Sequence, residues 1–319
     1  MLTNKKISVI PIAYADEGNI EELYKRITKV MSKNAPNYEI IYVNDASQDK
    51  SQEILEKLAK KDMKLTVITH SRNFGSQSAF TTGMNQALGD AVVILDGDVQ
   101  DPPELIPKFI EKWLTGYHVV YGVRTKREKS FGRFRELTYH LFYVLFSKLS
   151  YVKIPLDAGE FSLMDRKVVD CINALPEKDR FIRGLRAWVG YRQTGIPYVR
   201  LERFWGTGVA ANSIGKKLYW VKKAIINFSF APLEWVFNIA LFTVFASLFA
   251  IVVNFILYIF VPGFPHGYLT LLTAVLFIGS VQLVALTTIC EYLRRIFEEV
   301  KGRPYAIIEK IINDHRTQN

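Results

Sequence analysis

The sequence predicts an α/β domain with a mainly parallel sheet, followed by two membrane-spanning helices. Strand-like and helix-like patterns alternate over the first 125 residues, as they do when helices connect parallel strands. Further along, the run from Trp235 to Cys290 contains no Asp, Glu, Lys or Arg. An uncharged run of that length is enough for about two crossings of roughly 20 residues each.

The elements of the α/β domain follow one another as strand, helix, strand, helix, strand, helix, strand. Short apolar, β-branched runs indicate the strands, and amphipathic repeats indicate the helices. The strands are expected at 7–12, 39–43, 65–69 and 91–95, and the helices at 20–32, 51–61 and 77–88. Ligands of such sheets bind beyond the carboxyl ends of the strands, so the polar residues there are the first candidates for a site.

Four polar clusters follow these strands, at 14–17, 44–47, 71–75 and 96–100. The last of them contains Asp96, Asp98 and Gln100. Two acids one residue apart at the end of a strand can converge on a hard cation such as Mg²⁺ or Mn²⁺, which often shares its ligands with substrate phosphates. A D-x-D triplet alone is more often a solvated turn. Four polar clusters at the same edge of a sheet, however, favour a binding site over a solvated turn.

Basic residues account for the formal net charge of +10, and many of them flank the apolar run. They are Lys216, Lys217, Lys222 and Lys223 before it, and Arg294, Arg295, Lys301 and Arg303 after it. The positive-inside rule then predicts that both termini are cytoplasmic, and the lysines suit an anionic lipid surface. Nucleic acid is not an expected partner, because no basic motif interleaved with aromatic residues is present.

Several common sites are not expected. No G-x-G-x-x-G follows the first strand and no P-loop motif occurs, which argues against a dinucleotide cofactor and a P-loop nucleoside triphosphatase. Cys171 and Cys290 are solitary, so neither a disulfide framework nor a zinc site is indicated.

The organisation expected from these patterns has four parts, placed in the inner (cytoplasmic) membrane as a multi-pass protein. They are a cytoplasmic α/β domain at 1–211, an amphipathic juxtamembrane segment at 212–232, a transmembrane hairpin at 233–292 and a cytoplasmic C-terminal tail at 293–319. The two helices of the hairpin are expected at about 235–261 and 268–291, separated by a turn rich in Pro and Gly.

Several stretches of the chain resemble membrane-anchored glycosyltransferases of family 2, in the polyprenyl-phosphate branch that includes bactoprenol glucosyltransferases and dolichyl-phosphate-mannose synthase-like enzymes. The matching stretches are 71–75, 89–104, 116–124, 180–184 and 228–233. The resemblance covers nearly the whole chain and implies a GT-A, Rossmann-like catalytic domain at 1–211. It also implies an oligomer, with a tetramer as one form.

The resemblance implies an inverting transfer of a sugar from a nucleotide donor to a polyprenyl phosphate lipid. Glucose from UDP-glucose and undecaprenyl phosphate are the first expectation, serving cell-envelope glycan or O-antigen modification. UDP-galactose, UDP-N-acetylhexosamine and GDP-mannose stay open as donors. A processive polysaccharide synthase is less favoured, because T-E-D and Q-x-x-R-W are absent. A non-catalytic membrane scaffold is the alternative outside enzymes.

The resemblance also assigns residues to roles. The donor nucleotide is expected at Pro11, Tyr14, Glu17, Asp45, Asp96 and Arg203, and the Mg²⁺ or Mn²⁺ ion at Asp96, Asp98 and Gln100. The acceptor phosphate is expected at Arg124 with Arg133 or Arg135, and the catalytic acids are Asp157 and Asp98.

The chemistry of the acceptor limits what Asp157 has to do. A phosphate monoester has a second pKa near 6, so it is largely a dianion at neutral pH and needs little deprotonation. Asp157 is therefore expected to orient or assist, although a loop or cap acid is an equal alternative. Arg133 and Arg135 could equally be lipid-surface charges, and Arg180 and Arg183 could be structural ion-pair partners. His70 and His140 are assigned no chemistry.

Three departures from the family pattern leave the donor open. The usual Y-N-E is Tyr14-Ala15-Asp16-Glu17, and the usual N-D-G-S is Asn44-Asp45-Ala46-Ser47. The usual G-x-[ST]-K-Y after Arg203 is replaced over residues 206–212.

Overall fold

The computed structural model describes residues 1–126, 158–206, 231–260 and 267–316. These residues fall into two compact units. The first contains the described residues up to 206 together with 303–316, and the second contains 231–260 and 267–302.

An eight-stranded sheet is formed by the described residues of the first unit, in the order β7-β5-β6-β4-β1-β2-β3-β8. The strands are β1 Ile7–Ala13, β2 Tyr38–Asn44, β3 Leu65–His70, β4 Ala91–Leu95, β5 Val119–Lys126, β6 Ala158–Asp165, β7 Gln193–Val199 and β8 Ile308–Ile312. Strands β1 to β4 are mutually parallel where they pair, and β7 is parallel to β5. Strands β6 and β8 run antiparallel to their neighbours. The expected α/β fold with a mainly parallel sheet is confirmed.

Among the described residues of the first unit, six helices connect these strands. They are α1 Glu17–Asn34, α2 Ser51–Ala59, α3 Ser76–Gln86, α4 Ile106–Leu114, α5 Arg166–Ala174 and α6 Ile182–Trp188, with a short 3-10 turn at Pro103–Leu105 before α4. The three helices predicted in the first 90 residues are present, each within a few residues of its expected bounds.

Helices cover both faces of the sheet. Leu23 and Ile27 of α1 are fully buried in the core that contains Val9 of β1. On the other face α3 lies very close to β1, since a Cβ added at Gly83 would be 2.3 Å from Cγ2 of Ile10. Each fully buried Leu or Ile side chain contributes about 1.5–3 kcal/mol to folding. This two-sided burial explains why the strands are continuous apolar runs rather than alternating ones.

The antiparallel strand β6 brings its amino-terminal end to the edge where β4 ends. Ile94 pairs with Ser162, so continuing this register places Glu160 at the level of Asp96. On its other side, β6 pairs Ala158 with Val123 of β5. The start of β6 and the ends of the parallel strands therefore meet at one edge.

The part of the second unit that the structure describes contains two long helices, α7 Ala231–Phe260 and α8 Tyr268–Val300. Within the described residues, one helix is long and apolar enough to cross a membrane, over Leu233–Ala250, and none of that stretch is buried. Helix α8 extends nine residues beyond the predicted end at 291. The two predicted helices exist, and their crossing of a membrane stays a prediction. The predicted amphipathic segment at 212–232 lies almost wholly outside the described residues.

The last described residues form a strand that the sequence analysis did not predict. Strand β8 pairs antiparallel with β3, with Val67 opposite Ile312. Thr66 Oγ1 donates to the carbonyl oxygen of Asn313 at 2.8 Å, and Asn313 Nδ2 donates to that of Ala59 at 2.8 Å. The segment expected as a tail is therefore partly a strand of the sheet.

Candidate active site

The turn after β4 is held tightly against β1. Gly97 lies so close to this strand that a Cβ would be 2.0 Å from the carbonyl oxygen of Ile12, and Val99 adopts a φ of 60°. Only glycine fits such an approach to another backbone. Asp98, between these two residues, is 7% exposed, and its Oδ1 accepts from the amide of Gln100 at 3.2 Å. The predicted Asp98 and Gln100 therefore do lie together.

Two arginines neutralise Asp98. Its Oδ2 accepts from Nη2 of Arg200 at 3.3 Å and from Nη2 of Arg203 at 3.2 Å. Arg203 was expected near the donor diphosphate, and the structure places it beside the carboxylate expected to hold the cation. Arg200 was not predicted, although it precedes Arg203 by three residues in the same segment.

Asp96 has a different environment. Among the described residues, its carboxylate forms no hydrogen bond or ion pair. Burial, with the neighbouring charges of Asp101 and Asp98, raises the pKa of Asp96 to about 7. The charge of Arg200 opposes this shift without cancelling it. Oxygen ligands of this kind suit a hard divalent cation.

The residues present fit a metal ion that is shared with a ligand. The described residues contain no group of three or more His, Cys, Asp or Glu side chains arranged to hold a metal. Asp96 and Asp98 alone would leave most of the coordination shell to water and to the oxygens of a bound substrate, as is common for magnesium.

Asp101 is a site residue that the sequence analysis missed. It is fully buried, and its Oδ1 accepts a short hydrogen bond from the hydroxyl of Tyr198. Nη2 of Arg124 lies 3.8 Å from its Oδ2, and Nε of Arg200 lies 3.7 Å from its Oδ1. Burial raises the pKa of Asp101, and Arg124 and Tyr198 oppose that shift.

The segment at 200–206 contacts the loop after β1 as well. Nη1 of Arg203 lies 3.4 Å from Oδ1 of Asp16, which also accepts from Nδ2 of Asn19 at 2.9 Å. The ring of Trp205 packs on Gly18, where a Cβ would be 2.5 Å from it. Burial raises the pKa of Asp16, against the effects of Asn19 and Arg203. Asp16 is part of a departure from the family pattern, and here it anchors this segment.

The other predicted donor residues of the first loop lie at the same edge. Pro11 is in β1 opposite Leu95, and Tyr14 is 43% exposed. Glu17 joins the loop after β2, since its Oε2 accepts from the amide of Lys50 at 2.9 Å. Its own amide donates to Oδ2 of Asp49 at 3.1 Å. Glu17 thus fastens two loops of the edge together.

Asp45 is only 3% exposed and is already engaged by protein groups. Its Oδ1 accepts from the amide of Phe74 at 2.9 Å and its Oδ2 from that of Gly75 at 2.7 Å. Oδ1 also lies 2.8 Å from Nδ1 of His70, whose Nε2 lies 2.9 Å from Oγ1 of Thr82. Asp45 and His70 therefore fix the loop at 71–75, and the role of Asp45 in reading a nucleobase stays a prediction.

A second buried network lies at the start of β6. Oε1 of Glu160 accepts from Nε2 of Gln77 at 3.1 Å and from Nε of Arg183 at 2.9 Å. Oε1 of Gln77 accepts from the amide of Ile182 at 2.8 Å, which links α3 to the start of α6. Arg183 is thus an ion-pair partner, one of the alternatives left open for it. Arg180 donates to the carbonyl oxygen of Leu175 at 2.7 Å.

Arg124 is the one predicted acceptor-phosphate residue within the described residues. It lies in β5, and its side chain is 28% exposed. Arg133, Arg135 and Asp157 lie outside the described residues, so their predicted roles are untouched by this geometry.

Comparison with known proteins gives one family and close relatives. The sequence pattern of the family described as "Glycosyl transferase family 2" matches residues 8–172. The "Uncharacterized glycosyltransferase YkcC" of Bacillus subtilis (strain 168) is 41% identical over 302 residues, covering 95% of this chain and 92% of that protein. The "Bactoprenol glucosyl transferase" of Shigella phage SfII is 37% identical over 306 residues, covering 96% of this chain and 98% of that protein.

Likeness to solved structures is weaker. The mannosyltransferase PcManGT from Pyrobaculum calidifontis, in complex with GDP-Man and Mn²⁺, is 17% identical and covers 89% of this chain and 88% of that one, with a TM-score of 0.48.

Proposed function

Because this chain belongs to glycosyltransferase family 2, we propose that it transfers glucose from UDP-glucose to the phosphate of a polyprenyl lipid such as undecaprenyl phosphate. The observation that carries the proposal is the meeting of two charge types at one edge of the sheet. Asp96 and Asp98 offer oxygen ligands for a cation, and Arg124 lies across Asp101 from them. A relative 37% identical over nearly its full length is named for bactoprenol glucosyl transfer, which supports this donor and acceptor.

The donor half of the site would be built on Asp96, Asp98 and Gln100. A Mg²⁺ or Mn²⁺ ion held there would supply Lewis-acid stabilisation of the charge on the departing diphosphate. The chain's own cations would add to this. Arg200 and Arg203 share Oδ2 of Asp98, and both would be available to diphosphate oxygens when that carboxylate holds a cation.

The acceptor half would be built on Arg124, with Arg133 or Arg135. A guanidinium can grip a phosphate by two parallel hydrogen bonds and neutralise part of its charge. The phosphate arrives largely as a dianion, so it can attack the anomeric carbon without a strong general base. Asp157 would then orient the acceptor, and inversion follows from a single direct displacement.

The apolar helices would bring the chain into the membrane that contains such a lipid. Helix α7 exposes large apolar side chains, with Phe242 70% and Phe249 71% exposed. An exposed apolar surface of this extent is covered by lipid in a membrane protein. The chain would then be a multi-pass protein of the inner membrane, with its catalytic domain and both termini in the cytoplasm. Assembly as an oligomer, with a tetramer as one form, is part of the same proposal.

The test is transfer of radiolabelled sugar into an organic-soluble lipid. Full-length protein in vesicles containing undecaprenyl phosphate is incubated with Mn²⁺ and a panel of labelled donors: UDP-glucose, UDP-galactose, UDP-N-acetylglucosamine and GDP-mannose. We expect labelled lipid with UDP-glucose and release of UDP in equal amount. A strong preference for another donor would correct the sugar alone. No labelled lipid with any donor would overturn the proposal.

A further inference from the structure

Arg124 and Tyr198 are directly paired across two strands. Parallel strands β5 and β7 place these two residues in register. Nε of Arg124 donates to the Tyr198 hydroxyl at 3.3 Å, and that hydroxyl donates to Oδ1 of Asp101. The hydroxyl of Tyr198 therefore joins the arginine to the carboxylate.

Two glycines on neighbouring strands make room for this pair. A Cβ at Gly122 of β5 would be 2.6 Å from Cε1 of Tyr198. A Cβ at Gly159 of β6 would be 2.8 Å from Nη2 of Arg124. Neither glycine has a positive φ, so the close approach of the two side chains accounts for the lack of a Cβ. The space beside the sheet is thus shaped for this ring and this guanidinium.

The pair is buried at one end and open at the other. Tyr198 is 7% exposed and Asp101 is fully buried, whereas the Arg124 side chain is 28% exposed. Burial and the adjacent Asp101 raise the pKa of Tyr198, so its hydroxyl remains a donor throughout the neutral range. Burial opposes the charge on Arg124, but Asp101, Tyr198 and Asp96 together outweigh it and raise the pKa of this arginine. The guanidinium is therefore charged, and Tyr198 and Asp101 contact it on its buried side.

We propose that Tyr198 is a positioning residue for the acceptor: its hydroxyl, anchored by Asp101, fixes the guanidinium of Arg124 in the orientation that binds a lipid phosphate. The inference rests on the proposed function in one respect, the role of Arg124 in binding the acceptor phosphate. An arginine held in its binding orientation loses less conformational freedom when the phosphate binds, so the affinity is higher.

Removing the Tyr198 hydroxyl should therefore weaken phosphate binding, although this hydroxyl would not contact the phosphate itself. Binding of farnesyl phosphate to full-length protein in detergent is measured by calorimetry for the wild type, Tyr198→Phe, Arg124→Gln and the double variant. A hydrogen bond to a charged group is worth about tenfold in affinity, so we expect Tyr198→Phe to raise the Kd about tenfold. In the double variant, Tyr198→Phe should add nothing to the effect of Arg124→Gln.

Tyr24→Phe is the matched control. Its hydroxyl donates to Oδ2 of Asp62 at 2.7 Å, so the same Tyr–Asp hydrogen bond is lost elsewhere in the sheet domain. The Kd for farnesyl phosphate should not change in this variant. The Kd for UDP should also stay the same in Tyr198→Phe. A general loss of structure would instead weaken the binding of both farnesyl phosphate and UDP.

Gly159→Ala gives an independent route to the same result. The added methyl group meets the end of the Arg124 side chain and displaces it from the Tyr198 hydroxyl, so the Kd for farnesyl phosphate should rise. The outcomes separate the two proposals. Unchanged binding in Arg124→Gln would remove the acceptor assignment of the proposed function, and this inference with it. Weaker binding in Arg124→Gln with unchanged binding in Tyr198→Phe, or with additive effects in the double variant, would overturn this inference alone.

Discussion

Nη2 of Arg203 lies 3.2 Å from Oδ2 of Asp98, one of the two carboxylates proposed to bind a divalent cation. Arg200 contacts the same oxygen at 3.3 Å. A cation bound at Asp98 would therefore compete with these guanidiniums for one carboxylate, because each neutralises the same charge. On the proposed function, the arginines would be released from Asp98 when a metal–donor complex binds.

The first prediction follows from this competition. In Arg203→Gln, the affinity for Mn²⁺ without donor should rise about threefold to tenfold, since one competing ion pair is gone. The rate of sugar transfer should nevertheless fall at least tenfold, because the diphosphate loses a cation. Electron paramagnetic resonance of free Mn²⁺ measures the first effect. Arg26→Gln, which breaks an ion pair with Glu104 away from the site, is the control. Weaker Mn²⁺ binding in Arg203→Gln would contradict the competition.

The second prediction concerns the metal itself. Treatment with EDTA should abolish transfer, and Mn²⁺ or Mg²⁺ should restore it. Asp98→Asn should lower the rate by more than about a hundredfold, because the ion that stabilises the leaving diphosphate is lost. Glu111→Gln, at an exposed acid in α4, should leave the rate unchanged. The thermal midpoint of unfolding, measured alongside, should not fall in Asp98→Asn. Full activity of this variant, or activity in EDTA, would remove the metal assignment.

The third prediction separates two roles for Asp45. If it anchors the loop at 71–75, Asp45→Asn should destabilise the domain by about 1–3 kcal/mol, because an amide nitrogen would then face backbone donors. Asp45→Asn should also lower the affinities for UDP and GDP, by the same factor for both. If it reads the nucleobase, the ratio of the two affinities should change while stability is kept. Calorimetric unfolding and nucleotide titration decide between these results, and we expect the first.

The fourth prediction tests the contact that holds the segment at 200–206. Gly18→Ala places a methyl group against the ring of Trp205, so the segment should move away and the KM for the sugar donor should rise about tenfold. Trp205→Ala should abolish the effect of Gly18→Ala when the two are combined. Gly279→Ala in α8, where a Cβ meets nothing within 4 Å, is the control. Equal effects of Gly18→Ala with and without Trp205 would show that this contact does not hold the segment.

The parts of the fold that local pattern determines were predicted well. Strands β1 to β4 and helices α1 to α3 are built from continuous apolar runs and amphipathic repeats, and these signals lie within each element. The edge carrying the candidate site followed from the parallel order alone. The cluster at 96–100 was found because it directly follows a buried strand.

The parts determined by distant residues were not predicted. Glu160 reaches the level of Asp96 only because β6 is antiparallel to β4, and no local sequence pattern indicates the direction of a strand in its sheet. Arg124 and Tyr198 are 74 residues apart, and their pairing depends on the register between β5 and β7. Asp101 was not predicted as a site residue, because its partners, Tyr198 and Arg200, come from this same distant stretch. Strand β8 is as short as β4, but Glu309 and Lys310 interrupt its apolar run, so it lacks the continuous pattern that indicated β4.

Strand β8 also means that the sheet is completed by residues made after the apolar helices. During synthesis the sheet stays one strand short, with the edge of β3 unpaired, until both long helices have left the ribosome. An unpaired edge of this kind is prone to pair with other chains. A version shortened before Ala231 would keep that edge open permanently. A soluble form of this enzyme would therefore need residues 303–316 joined back to the catalytic domain, and not merely the removal of its apolar end.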